Sequence, residues 1–372
     1  MKNLLYAFAV ATLLLTACDN NNDPTPVVVV DNVLKGNVTA NMTLDATVEY
    51  SLEGTLNVKS GATLTIPAGT VIKAKKGFSN YVIIERGAKI MAEGTAAKPI
   101  LFTSAESVPA AGDWGGLLIN GYAPISGVTA GTEGATEVDN SLKYGGTNAS
   151  DNSGILQYVI LAYTGARSSG DIEHNGLTLD AVGNGTVIEN IFVPYGSDDA
   201  VEFFGGTVNV TNFLAVNPDD DMFDVTQGWS GRLKNAYGIW KPGYASTEGD
   251  PRGIESDGNF DGKTPTDVGQ SNFTMENITI VNNSTYVMDD AIKIRRGAKA
   301  TIINALVKNG TTNDLVNFTD LRGNGDPTST VSVTKSNVTY TGLEIIGTGL
   351  VSIVAGNTGA DTSVFAWTGF EF

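Results

Sequence analysis

Short apolar–polar alternations broken by glycine turns run through most of this chain. "LEGTLNVKSGATLTIPAGTVIKA" turns at Gly-Ala and Ala-Gly, and "YVIIERGAKIMAEGTAAKPILFTS" repeats the grammar: short strand, glycine turn, short strand, extended exit. Helical spacing of apolar residues is almost nowhere sustained, so the pattern predicts a solenoid built from β-strands.

Six segments set beneath one another sharpen this: "NGLTLDAV" (175–182), "DAVEFFGG" (199–206), "DMFDVTQG" (221–228), "RGIESDGN" (252–259), "DAIKIRRG" (290–297) and "DLVNFTDL" (314–321). Their third and fifth positions are apolar except at Ser256, and the fourth is polar throughout. Period two with one fixed inward face describes a strand in the wall of a coil. The offsets between segments are 24, 22, 31, 38 and 24 residues, which fits a repeated coil carrying two insertions. The larger insertion, around 241–271, is rich in Gly, Pro and Asp and reads as loop. A second strand follows most segments and carries Asn190, Asn212, Asn235, Asn277 or Asn304. That recurrence predicts a stacked turn in which asparagine side chains bond along the solenoid.

The fold class expected is therefore all-β: a single right-handed parallel β-helix over residues 33–372. Residues 33–60 are expected to cap its N-terminal end, and the tail "SVFAWTGFEF" its C-terminal end, where an apolar core must be covered.

The first residues add a separate layer. Lys2 precedes the apolar run Leu4–Leu15, too short for a stable span, and "LTAC" ends it at Cys18, the only cysteine in the sequence. This resembles a bacterial lipobox. It implies a lipoprotein signal peptide at 1–17, lipidation of Cys18, a polar linker over 18–32, and a domain tethered to the outer membrane and displayed at the cell surface. The sequence carries 23 Lys plus Arg against 40 Asp plus Glu, a formal charge of −17. Such a surface repels nucleic acid and favours cations.

"GATLTIPAGTVI", "KPILFTS", "GDWGGLLINGYAPI", "DDAVEFFGGTV" and "DDDMFDVTQGW" together resemble a family of Bacteroidota surface lipoproteins with a right-handed parallel β-helix of the pectin-lyase type. Members often carry a multidrug-transporter label, which no spanning segment of this sequence supports. The resemblance implies the fold and assigns no activity.

Stacked coils turn sequence offsets into distance, because parallel strands lie about 4.8 Å apart. Thr178, Glu202, Asp224, Glu255, Lys293 and Asn317 then form one outward column. Asp199, Asp221, Arg252, Asp290 and Asp314 form another, with Asp198 and Asp220 beside it. Like charges about 5 Å apart repel by roughly 3 kcal/mol at an effective dielectric near 20. Backbone N–H donors in turns, a bound cation, or protonation can offset this. A hard cation such as Ca²⁺ would take Asp198, Asp199, Asp220 and Asp221 as ligands.

The leading functional expectation is non-catalytic binding or adhesion toward a glycan or surface protein, with Glu202, Phe204, Trp229, Trp240 and Tyr244 as contacts. The alternative is a polysaccharide lyase or glycoside hydrolase using Asp199, Asp221, Asp224, Glu255 and Lys293. A purely structural envelope role is the third. "SDDAVEF" and "MDDAIKIRRG" superficially resemble the paired-aspartate strand of polygalacturonases, but that family's Gly-His-Gly turn is missing. His174, the only histidine, is expected at the surface beside Asp198.

Overall fold

The computed structural model describes residues 32–168 and 172–372, together with the backbone of strand Val27–Val28. The expected signal peptide, the expected lipidation site Cys18 and most of the expected linker lie outside the described residues. Helix among the described residues is limited to two 3-10 segments, Phe260–Gly262 and Thr362–Thr368. None is long and apolar enough to cross a membrane. Twenty-six strands join one sheet through parallel pairs, the ladder of a parallel β-helix.

One wall stacks Leu177–Asp180, Val201–Phe204, Phe223–Thr226 and Ile254–Ser256. Val287–Lys293 and Thr311–Asn317 continue it. The pairing partners are those the six aligned segments predict: Leu177 with Val201, Phe203 with Val225, Ile254 with Ile292 and Ile292 with Val316. Inward side chains make one continuous core, in which Trp229 stacks between Phe203 at 4.1 Å and Phe273 at 5.4 Å.

The second strand of each coil turns a corner in its middle. Asn190, Asn212, Asn235, Asn277 and Asn304 hold that corner with φ between 56° and 60°. Asparagine tolerates this left-handed conformation better than other residues with a Cβ. Its amide also links the coils: Asn212 Nδ2 donates to Asn190 Oδ1 at 2.9 Å, Asn235 to Asn212 at 2.9 Å, and Asn304 to Asn277 at 2.8 Å. The predicted asparagine stack is present.

Both expected caps need correction. Residues 33–60 already contribute ladder strands, Val33–Val38 pairing with Glu49–Val58. The C-terminal tail does not close the end of the solenoid; it runs back along the outside of the corner. Asp361 N donates to Asn235 Oδ1 at 2.6 Å and Thr358 N to Asn304 Oδ1 at 2.8 Å. Phe365 is fully buried against Phe192, Leu214, Tyr237 and Val281, an apolar strip on the outer face. Strands buried on both faces lose their alternation, and this strip needs a cover.

The insertion at 241–271 is two loops, 241–253 and 257–271, with strand Ile254–Ser256 returning to the wall between them. Those loops and the hairpin Gly134–Ala135 with Lys143–Tyr144 lie beside the acidic face.

Candidate functional site

The ladder places Glu202 beside Asp224 and Asp224 beside Glu255, each on the outward phase of its strand. Residues at the strand starts climb the same face. Asp221 N donates to Asp199 Oδ1 at 2.8 Å, and Arg252 N donates to Asp221 Oδ1 at 2.6 Å. Asp199 and Asp221 thus each take a backbone donor from the next coil, one of the offsets expected from sequence.

The neighbours of Asp221 behave differently. Asp219 anchors the insertion, accepting from the Tyr244 hydroxyl at 3.0 Å and Thr247 N at 2.9 Å. Asp220 Oδ1 and Asp224 Oδ1 are buried and have no hydrogen-bond partner. Three ligand sets result, each with one oxygen per residue within 4.8 Å of the others: Asp198, Asp199 and Asp220; Asp199, Glu202 and Asp224; Asp221, Asp224 and Glu255.

These residues floor a cleft of about 730 Å³ whose sides are loops. Glu137 and Asn140 come from the hairpin, Glu173 from the segment before Leu177–Asp180, and Asp257, Phe260, Asp261 and Lys263 from the second insertion loop. Eleven carboxylates line the cleft, against two cations, Lys263 and Arg295.

Burial is the largest influence on these acids. It pushes Asp198, Asp199, Glu202 and Asp221 well above the ordinary carboxylate range, with neighbouring acids adding to it. Asp220 is raised to about 7 by burial and then by Asp250 and Glu248. Glu137 is raised to about 7 by burial and then Asp261. Glu202 and Asp224 sit side by side on adjacent strands, Asn175 Nδ2 donates to Glu202 Oε2 at 2.6 Å, and burial raises both acids.

Cations cluster at the far edge of the strip and are already engaged. Arg252 pairs with Asp250 at 2.8 Å, Asp289 at 3.0 Å and also Glu255. Arg295 holds Glu255 and, at 2.8 Å, Asp257; Arg296 holds Asp257 at 2.6 Å and Asp320 at 3.1 Å. Lys293 pairs with Asp290 at 3.0 Å and does not line the cleft. Burial, then Arg252 and Arg296, lowers Arg295 to about 10.

Several expected contacts are elsewhere. Trp229 and Trp240 are fully buried, Trp240 donating its indole N–H to Pro218 O at 3.0 Å. The hydroxyl of Tyr244 donates to Pro218 O at 2.6 Å, fastening the insertion. These three are packing residues: Trp229 turns into the core after strand Phe223–Thr226, and Trp240 is buried at the end of Arg232–Trp240 with the Tyr244 ring 5.6 Å away. Phe204 does line the cleft, beneath Phe260. His174 is buried, not beside Asp198 at the surface: its ring lies 4.6 Å from both Phe78 and Tyr81, its Nε2 is 3.1 Å from Phe78 O, and burial lowers it to about 4. Glu137, Glu173, Asp257 and Asp261 were not singled out by the column argument. Asp257 lies in the aligned segment 252–259 and bridges Arg295 in coil register, at a phase outside the columns followed; Glu137 and Asp261, in the visibly acidic "GATEVDN" and "SDGNFDG", lie in loops that have no coil register.

No curated protein matches the chain. A solved structure, the alginate lyase from Paenibacillus sp. str. FPU-7, is similar at 14% sequence identity over 79% of this chain and 93% of that one, with a TM-score of 0.21. No residue role passes from it to this chain. A family profile does extend across the solenoid: through residues 36–364 the chain belongs to the pectate-lyase-like beta helix domain family.

Proposed function

We propose that the acidic cleft is a divalent-cation site, with Ca²⁺ the best fit, and that the loaded cleft binds a saccharide. The observation that carries this is the pair of buried, unpartnered oxygens, Asp220 Oδ1 and Asp224 Oδ1, in a cleft with three overlapping ligand sets. Buried carboxylates that lack a donor demand a proton or a metal. An all-oxygen set with several carboxylates suits a hard cation of flexible geometry. A cation would leave coordination positions open toward the cleft, where hydroxyl or carboxylate oxygens of a sugar could complete its shell. The lipobox-like leader ending at Cys18 supports a surface-tethered protein.

Elimination chemistry has weaker support, because Lys293, Arg295 and Arg296 are committed to carboxylates. Hydrolysis is favoured by one observation, the neighbouring carboxyl groups of Glu202 and Asp224 on adjacent strands, an arrangement that can hold one acid protonated beside one ionised.

Calorimetric titration of the protein with Ca²⁺ tests the first reading, followed by glycan binding in Ca²⁺ and in EDTA. Saturable binding that Asp220→Asn weakens at least tenfold is expected. Absence of Ca²⁺ binding at millimolar concentration refutes the cation site. Release of reducing ends that Glu202→Gln abolishes would instead establish the hydrolase.

A further inference from the structure

In the two coils that follow Glu255, the outward column ends in a polar triad that the cation site does not use. Lys293 and Asn317 are direct partners in adjacent parallel strands. Asp290 lies between them: Lys293 Nζ is 3.0 Å from Asp290 Oδ2, and Asn317 Nδ2 donates to Asp290 Oδ1 at 3.1 Å. All three are buried, with exposures of 8% for Lys293, 1% for Asp290 and 7% for Asn317. One carboxylate thus holds an amine and a primary amide side by side, away from water.

Lys293, Asp290 and Asn317 form, we infer, the site of a self-catalysed isopeptide bond between Lys293 Nζ and Asn317 Cγ.

The rest of the environment suits acyl transfer. Asn317 Oδ1 accepts from Thr319 N at 2.9 Å and from the Thr319 hydroxyl at 2.8 Å. Two donors on the amide oxygen polarise the carbonyl and stabilise the oxyanion of a tetrahedral intermediate. Asn317 Nδ2 also donates to Asp314 Oδ2 at 3.1 Å, which fixes the amide plane. Arg252 Nε lies 3.5 Å from Asp290 Oδ2 and steadies that carboxylate while it is ionised. Burial opposes this and raises Asp290, easing proton uptake.

The proton path closes on these groups. The Lys293 ammonium gives a proton to Asp290 Oδ2, leaving a neutral amine, the nucleophilic form. The amine attacks Asn317 Cγ, and the carbonyl electron pair moves onto Oδ1. Asp290 returns its proton to Nδ2, the oxyanion pair re-forms the carbonyl as the Cγ–Nδ2 bond breaks, and ammonia leaves with one of the two protons of the attacking nitrogen, the other staying as the amide N–H. Lysine ammonium plus primary amide becomes secondary amide plus ammonium, with no external oxidant or co-reactant. The bond would cross-link adjacent coils near the end of the solenoid, where only one further neighbour, Ile345–Ile346, pairs with this part of the strand. A covalent tie there restrains unravelling from the end.

Mass spectrometry of the purified full-length chain decides the matter. The expected result is a mass lower than the sequence mass by one ammonia, and a branched tryptic peptide joining Lys293 to Asn317. Lys293→Arg and Asp290→Asn should each restore the lost mass, and the two peptides should then separate. A wild-type chain of full mass, with Lys293 and Asn317 recovered in separate peptides, overturns the proposal. The wild-type measurement stands even if a variant fails to fold. A bond that persists in Asp290→Asn overturns the role given to that carboxylate.

Discussion

Replacing Asp220 by asparagine removes one charge from the cleft and almost no volume. Asp220 is shifted from 3.8 to about 7. With one pKa unit equal to about 1.4 kcal/mol, its ionised form destabilises the cation-free fold by on the order of 4 kcal/mol. The amide that replaces it is also buried beside an unpartnered position and costs about 1–3 kcal/mol. In EDTA at pH 8 the variant should therefore be the more stable protein by roughly 1–3 kcal/mol. Calcium narrows the gap. A ligand at a hundred times its Kd stabilises wild type by about 2.7 kcal/mol, and a variant that binds tenfold more weakly gains only about 1.4 kcal/mol at the same concentration. Urea unfolding followed by the fluorescence of Trp229, which sits in the core directly beneath the strip, gives the four midpoints needed. The pH dependence has a fixed sign as well. An acid with a raised folded-state pKa favours the fold while protonated, so the contribution of Asp220 to the cation-free fold is fully present below about pH 4 and is lost as pH rises through about 7. Calcium should flatten that slope. If Asp220→Asn is less stable than wild type in EDTA at pH 8, and wild type ignores calcium, the charge argument fails and the acids are structural.

Other parts of the molecule make independent tests. Asn212→Ala should lower stability by about 1–3 kcal/mol, since it loses both the left-handed tolerance and the inter-coil amide bonds. Asn212→Gly keeps the backbone freedom, so unfolding of the two variants by urea separates conformation from hydrogen bonding. Trp229→Ala should cost about 3–5 kcal/mol by emptying the stack with Phe203 and Phe273, with calcium affinity by titration unchanged. Phe365→Ala should loosen the C-terminal tail and expose the strip of Leu214 and Tyr237, which binding of an apolar dye would report.

Legibility in the sequence tracked the solenoid register. Where residues share a coil position, the offset between them is a distance, and Glu202, Asp224 and Glu255 could be brought together from spacing alone. The asparagine corner was legible for the same reason, because an unusual backbone requirement recurs at fixed phase. Loops carry no such conversion. Glu137 and Asp224 are far apart in sequence, on elements without shared periodicity, so the sides of the cleft could not be read. The same limit explains the aromatics. Trp229 and Trp240 lie near the acidic strip along the chain, yet Trp229 turns into the core after strand Phe223–Thr226 and Trp240 is buried at the end of Arg232–Trp240, so chain proximity is not spatial proximity there.

The tail shows a different failure, and it bears on how the solenoid ends. "SVFAWTGFEF" is apolar enough to cap an open core, and a cap was the expectation because an exposed core end is costly. The structure contains a second claimant, the outer strip of Phe192, Leu214, Tyr237 and Val281. Hydrophobicity is non-directional, so composition could not decide between the two surfaces. The deciding interactions are polar: Asn235, Thr279 and Asn304 offer side-chain acceptors to the backbone of Thr358, Ala360 and Asp361, at 2.6 to 2.9 Å. Apolar burial thus supplies the affinity of the tail for the wall, and the asparagine ladder supplies its register. The ladder does two jobs with one residue type, joining coil to coil and then tail to coils. Substituting Asn304 should therefore free the tail as well as weaken the corner, and Asn190, which lies beyond the tail's bonded contacts, should weaken only the corner. Chymotrypsin digestion of the tail separates the two: Asn304→Gly should accelerate cleavage after Phe365 and Trp367, and Asn190→Gly should leave it unchanged.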